Sequence, residues 1–385
     1  MTTKAQKPRL IWGNIAFLSI TPVLAIVLTP IYAYFWGIGW QEVVAAFVLW
    51  WLTGLSITAG YHRLYAHRAY KAPAPIRLFY AIFGAAAWQN SIITWAAAHR
   101  YHHRDVDTDG DPYNAKRGLV YSHIGWILVE GPRHNQLDNV DDLWKDKICA
   151  WQHKHYLAIS TAVNVGIPLL LGLWTGNIFG MLLIAGLVRV VLVHHFTFTI
   201  NSLAHKVGSQ PWSEANTARD SWVISLISFG EGYHNYHHAF QTDYRNGPRW
   251  FNYDPGKWLI FGLSKIQLAK DLKRTPDDTA IRRRFRERKE AYMHWLENEA
   301  KPRSLELSTA LKSRLENAQQ RMEIALDEFT RARRQWASAK AKNTRREIRA
   351  LKKSLRHTRQ AVQATLREWE ILAQESMAIA EASPA

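Results

Sequence analysis

Residues 43–67 read VVAAFVLWWLTGLSITAGYHRLYAH. From Val43 to Tyr61 there is no charged side chain, and about 20 such residues are what a helix needs to cross the hydrocarbon core of a bilayer. The run ends on His62 and His67, so a candidate membrane span passes directly into side chains that bind metals. Working outward, residues 11–34 are also uncharged. A third uncharged stretch runs from Tyr156 to Val188, broken by Trp174-Thr175-Gly176-Asn177, and the apolar run resumes past Arg189 to about Ile200. Read as four spans, these pieces form two hairpins with short, nearly uncharged connections. Buried helices of a soluble protein are the weaker reading, because uncharged runs this long are hard to place in a soluble core.

Lys and Arg fall in the N-terminal tail, the long central loop and the C-terminal half, which the positive-inside rule assigns to the cytoplasm. Trp40, Trp50, Trp51 and Trp174 sit at or near span ends, as interfacial aromatics do. The N-terminal run is too long for a cleaved signal peptide and contains no small-residue cleavage site. The whole chain of 385 residues has 49 Lys+Arg against 32 Asp+Glu, a net +17. From residue 281 onward there are 24 basic and 14 acidic residues, so that segment carries more than half of the excess. Cys149 is the sole cysteine, which excludes a disulfide framework, a Cys-ligated zinc site and a protein-held iron–sulfur cluster.

Leu78–Ala98 is apolar but carries Gln89, Asn90 and Ser91 at its middle. Were it a fifth span, His67 and His99 would face opposite compartments, so it is expected to lie in the interface. In the tail, Leu311, Leu315, Ala318, Met322, Ala325, Phe329, Ala332 and Trp336 step by four and three. A second series runs Ile348, Leu351, Leu355, Thr358, Val362, Thr365, Trp369 and Leu372. These are heptad seams, and Thr344-Arg345-Arg346-Glu347 between them has the form of a capping box. The product is either an antiparallel helical hairpin or one long helix that pairs with another chain. Charge alone does not argue for nucleic acid here, and contact with anionic lipid headgroups suits a membrane protein better.

Histidines occur in boxes: HRLYAH at 62–67, HRYHH at 99–103, NSLAH ending at His205, and HNYHH at 234–238. The i, i+3, i+4 spacing of His99, His102, His103 and of His234, His237, His238 puts three imidazoles on one helical face. Two of each trio can converge on one ion while the third turns to a neighbour. His62 and His67 are i, i+5 and converge only if the helix loosens after His62. Nine imidazoles exceed the needs of one ion, so two metals are implied, and an all-nitrogen set suits Fe, Zn, Cu or Ni. Asp105, Asp107, Asp109, Asp111 and Glu231 are available to orient the rings. His123, His134, His153, His155, His294 and His357 lack convergent spacing, and His194 and His195 lie within the fourth span beside Arg189.

The boxes HRLYAH, HRYHH and HNYHH, in that order between paired spans, resemble those of the membrane-bound acyl-CoA Δ9 desaturases, the stearoyl-CoA desaturase family. GDPYNAKRG at 110–118, SHIGW at 122–126, NSLAH at 201–205 and GEGYHNYHHAF at 230–240 extend the resemblance, which covers about residues 15–270 and not the tail after about 300. It implies two iron ions held by His62, His67, His99, His102, His103, His205, His234, His237 and His238, with Asn201 approaching one through water. It places Gln89, Trp95 and Thr197 around a bent acyl chain, and Asn90, Arg100, Lys116 and Arg117 at the CoA headgroup. Tyr65 and Tyr101 depart from the usual boxes of animal members, which leaves the headgroup preference in doubt. The implied reaction uses O2 and two electrons to turn a CH2–CH2 pair into a cis double bond.

Trp50, Gly54, Thr58 and His62 step by four along one face, and twelve residues put Trp50 ~18 Å from the metal end. Gly54 would leave room for the acyl chain and Trp50 would close the tunnel floor. No flavin, nicotinamide or cytochrome b5 haem motif is present in the sequence, so electrons are expected from a separate donor of ferredoxin, cytochrome b5 or flavin reductase type. The competing readings are a lipid-linked acyl substrate, a di-iron hydroxylase and a metal transporter; ligands lying outside the spans count against the last.

The expected architecture is an all-α membrane protein. Four transmembrane helices in two hairpins carry a cytoplasmic helical His-box domain and a C-terminal helical hairpin or coiled coil. The domain expectations are a tail at 1–10, the desaturase domain at 11–275, a basic linker at 276–300 and the extension at 301–385, which could self-associate through its heptads. The protein is expected in a bacterial cell membrane with both termini cytoplasmic.

Overall fold

The computed structural model describes residues 9–300, 309–341 and 345–382. Most of the N-terminal tail and Thr344 of the capping box lie outside the described residues. Among the described residues the fold is helical, with isolated bridges in place of strands. Packing divides the chain into Met1–Arg274 and Thr275–Ala385.

In the first unit, four helices are long and apolar enough to cross a membrane: α1 (Trp12–Phe35), α2 (Trp40–Ala66) and two later ones. Ile20, Val23, Ile26 and Val27 of α1 are exposed in the chain itself, an apolar patch of the kind a bilayer covers. Glu42 starts α2 yet is buried. Its Oε1 accepts from the Tyr32 hydroxyl at 2.5 Å, its Oε2 from the Gly39 N–H, and Asn177 donates to the same pair. A charged group at a span end is thereby fully hydrogen-bonded, which offsets its burial.

The interfacial stretch is two helices rather than one. α3 (Ala74–Ala85) and α4 (Ile92–Asp105) are separated where Trp88 and Asn90 take positive φ. A helix end leaves carbonyls without partners, and α3's are met from the fourth span. Arg189 donates to the Ala86 carbonyl at 3.0 Å and His194 Nε2 lies 2.8 Å from that of Ala87. Arg189 also donates to Ala185 O and to Asn164 Oδ1, which accounts for a buried arginine in an apolar span. Ser91 then caps α4 by accepting from Thr94 N–H. Gln152 of α5 (Lys147–Lys154) accepts from Ile92 N–H and donates to the Tyr61 hydroxyl.

The second pair of spans is α6 (Tyr156–Thr175) and α7 (Ile178–His205). Three short helices follow: α8 (Trp222–Ile227), α9 (His234–Ala239) and α10 (Pro255–Lys265).

The second unit has its own core. α12 (Thr309–Ala341) and α13 (Arg345–Ala382) bury Leu315, Met322, Phe329, Val362, Leu366 and Trp369 between them. Residues 276–300, expected to be a basic linker, contain instead α11 (Asp277–Trp295), because Phe285, Tyr292 and Trp295 form an apolar stripe that joins the same core. The two heptad seams pack on each other within the chain's own hairpin, the first of the two arrangements their spacing allows.

Candidate metal centre

The first histidine box owes its geometry to the winding of α2. From Ser56 to Ala66 the helix is a π-helix, and the His67 N–H donates to the His62 carbonyl at 3.0 Å. An i→i+5 register stacks residues five apart, as an α register stacks residues four apart. His62 and His67 thus lie one above the other along the whole wider segment, rather than through a loosening confined to its end.

The structure brings all nine box histidines together in two groups. His62, His67, His99, His103 and His237 offer ligand nitrogens within 4.8 Å of one another, as do His102, His205, His234 and His238. α4 contributes His99 and His103 to the first group and His102 to the second, while α9 gives His237 to the first and His234 and His238 to the second.

The outward nitrogens have fixed partners. His62 Nδ1 lies 2.8 Å from Glu231 Oε2, and His102 Nδ1 lies 2.9 Å from Asp111 Oδ1. His205 Nδ1 is 2.8 Å from Thr217 Oγ1, which donates to Asp107. Tyr113 touches both groups, with its hydroxyl 3.2 Å from His99 Nδ1 and its ring stacked on His102. Burial opposes ionisation of Glu231, yet His62 and Arg63 outweigh it and hold the carboxyl at about 2.

With protons on the outward nitrogens, lone pairs on the inner ones face each other. His67 and His99 meet at 2.8 Å, His237 lies 3.0 Å from His62 and 2.9 Å from His103, and His234 is 3.0 Å from His205. Neutral lone pairs repel at such distances, and a cation between them removes the repulsion. With metal–nitrogen bonds of ~2.1 Å, cis ligands of an octahedral shell lie ~3.0 Å apart, against ~3.4 Å in a tetrahedral one. The donor set therefore fits metal ions with more than four ligands.

Burial holds the imidazoles of His67, His99, His103, His234, His237 and His238 well below the ordinary 6.5. They are therefore neutral ligands at neutral pH. Between 6.5 and the lower folded values the unfolded chain binds more protons than the folded one, so stability falls as pH drops. We expect the metal-depleted protein to lose Tm progressively from about pH 7 to pH 5 and to change little from pH 7 to pH 8. A thermal-shift series that stays flat below pH 7 contradicts this.

A cavity of about 660 Å³ runs past both groups, lined by His62, His99, His102 and His234. Gln89, Asn90, Trp95, Thr197 and Asn201 also line it. Trp95 stacks on His99, and the Asn90 N–H donates to the Tyr156 hydroxyl. Arg133, His134, Asn135 and Gln136 form a polar part of the wall that no motif marked. Arg100, expected at a headgroup, is occupied within the fold: it donates to Asp142, Ala66 O, Tyr65 O and Asn139 O. Lys116 and Arg117 are exposed on a short turn, where Arg117 lies over the Tyr121 ring; neither lines the cavity.

Trp50 and Gly54 line a second, smaller cavity, which shares Ile57, Thr58, Thr197, Ile200 and Glu231 with the first. The space at Gly54 is not open. The Phe229 ring fills it, and a Cβ at residue 54 would lie 2.1 Å from Phe229 Cε2. Phe229 itself has φ +55, uncommon for a bulky residue, and its ring packs on Trp50 and Trp51 at 4.7 and 5.2 Å.

The fatty acid desaturase family model matches residues 38–262, a stretch that contains every one of these histidines. The chain belongs to the fatty acid desaturase family. This desaturase-family chain is 47% identical over 223 residues to Acyl-CoA desaturase 1 of Saccharomyces cerevisiae, covering 57% of this chain and 44% of that one. It is 33% identical to Stearoyl-CoA desaturase 5 of Bos taurus over 70% of this chain and 82% of that one. It is 32% identical to the sn-1 stearoyl-lipid 9-desaturase of Anabaena variabilis over 70% of this chain and 96% of that one. The chain spans about half the length of the fungal relatives it matches. As a member of this family with four apolar spans, it is a multi-pass membrane protein with histidine groups able to hold metal.

Proposed function

We propose that this protein is an oxygen-dependent acyl-CoA desaturase that places a cis double bond, at Δ9, in a saturated acyl chain. The observation that carries this reading is the pair of imidazole groups facing one largely apolar cavity. Two iron ions, one in each group, would supply the one-electron O2 chemistry that removes hydrogen from an unactivated methylene. In balance, two hydrogens from the chain, O2, two electrons and two protons give the alkene and two waters.

The chain's own residues position and exclude. Glu231, Asp111 and the Thr217–Asp107 pair fix the rings of His62, His102 and His205, whose inner nitrogens would hold the ions. Trp95, Gln89 and Thr197 form the wall beside the histidines, where the reacting carbons would be held, and Asn201 stands beside the second group. The apolar lining keeps water from the site, which prevents side reactions. Electrons come from a separate carrier. We further propose a bacterial cell membrane with both termini and the histidine groups on the cytoplasmic side, supported by the basic character of the tail, central loop and C-terminal half; cysteine labelling of intact cells tests it.

Expression in a desaturase-deficient host, with gas chromatography of total fatty acids, tests the activity. Monounsaturated product that depends on the chain is the expected result, and its absence from cells containing iron-loaded protein overturns the reading. A lipid-linked acyl substrate is the second reading. It is favoured by the exposure of Lys116 and Arg117 away from the cavity and by the name of the Anabaena relative. Turnover of palmitoyl-CoA against palmitoyl phospholipid by the purified protein separates the two.

A further inference from the structure

The excess charge of the tail sits at one end of its hairpin. Residues 331–359 hold twelve Lys and Arg and one acid, Glu347. The rest of Thr275–Ala385 has twelve basic and fifteen acidic residues, so the tip is +11 and the remainder −3. A helix the length of α12 is ~50 Å long, several times the ~8 Å Debye length at physiological salt. The acidic end cannot neutralise the basic one.

Two tip cations are satisfied by α11, Arg333 by Asp278 and Arg359 by Asp277. Arg331, Arg334 and Lys340 on α12 are exposed and show no carboxylate partner among the described residues. On α13, Arg349, Lys352, Lys353 and Arg356 follow i, i+3, i+4, i+7 and form one stripe. They alternate with Leu351 and Leu355 of the half-buried seam, so the stripe faces away from the partner helix.

The surface has charge but no anchor. Among the described residues, no large hydrophobic side chain between 331 and 359 is exposed, whereas protein interfaces are built around buried aromatic and aliphatic anchors. A flat anionic surface asks for no such anchor. The hairpin is also tied by its own chain to a unit with four membrane spans, so a bilayer is present at high effective concentration. We propose that the tip of the α12–α13 hairpin docks on anionic lipid headgroups of the membrane that holds the protein.

The test uses the full chain in nanodiscs. Ala350→Cys, on the exposed tip, is labelled with a fluorophore; the native Cys149 is fully buried and stays unlabelled. Energy transfer to a headgroup acceptor is compared between neutral discs and discs with about 30% anionic lipid. Each cation near such a surface adds about fivefold to partitioning, so transfer should at least double on anionic discs and return to the neutral level at about 0.5 M salt. Arg349→Glu, Lys352→Glu, Lys353→Glu and Arg356→Glu together should abolish the increase, with the Tm unchanged. Equal transfer on both lipids overturns the proposal. So does transfer that the fourfold variant retains, or release of the tip from anionic discs by a stoichiometric acidic electron carrier or RNA at physiological salt.

Discussion

On the proposed reading of one iron in each group, replacing His237 with alanine is expected to lower bound iron from two ions per chain toward one and to reduce desaturation by more than about 100-fold, the upper end of what loss of an outer partner costs. His237 is the sharpest test because its Nε2 stands between His62 at 3.0 Å and His103 at 2.9 Å. Without it the five-histidine group keeps four rings, and the four-histidine group of His102, His205, His234 and His238 is untouched. Metal analysis should therefore show partial, not total, loss. Glu231→Gln removes the charge that His62 Nδ1 and Arg63 share and should cost about 10–100-fold. His123→Ala is the control: His123 bonds Ser202 and His195 outside both groups, and its loss should leave iron content and turnover near wild type. A His237→Ala protein that retained two irons and full turnover would refute the two-group reading.

The second large effect is expected at Phe229. Its ring lines the second, smaller cavity, in a notch that exists because residue 54 has no Cβ. In Phe229→Ala the small cavity gains the volume of a ring and should admit a longer methyl end. One methylene in a fitted apolar pocket discriminates by about tenfold or more, so the ratio of longer to shorter products should rise at least about tenfold. Trp50→Ala, on the same wall, should shift it in the same direction. Gly54→Ala alone drives a methyl into the ring and should impair folding or turnover, while Gly54→Ala in the Phe229→Ala background should be tolerated. That coupling is what contact between the two positions predicts. Product profiles by gas chromatography decide: an unchanged chain-length ratio in both single variants removes the second cavity as the ruler.

How much of this was legible beforehand follows from the kind of signal involved. Spans and histidine boxes are local patterns of composition and spacing, so α1, α2, α6, α7 and both i, i+3, i+4 trios could be read directly. What acts across the chain could not. Phe229 is 175 residues from Gly54, and Thr217 reaches His205 from a loop without a motif. Tyr113 stood in the GDPYNAKRG stretch, a signal that was present but pointed to no role. The break at Trp88–Asn90 was foreshadowed by Gln89, Asn90 and Ser91. Its cause, capping of α3 by Arg189 and His194, lies about a hundred residues away. Arg100 was assigned by position in a box, and its four internal acceptors belong to segments that folding alone brings near. The α11 stripe was masked by the charges between its aromatics.

The wide winding of Ser56–Ala66 makes the first box a ruler of backbone coil. Delete one residue between His62 and His67 and let the segment tighten to an α register, and the two rings would again share a face, now four apart. One inserted amino acid thus separates an ordinary span from one able to present this pair with five-residue spacing, and in kindred chains a gap of three or four residues between these histidines should report which coil the second span adopts.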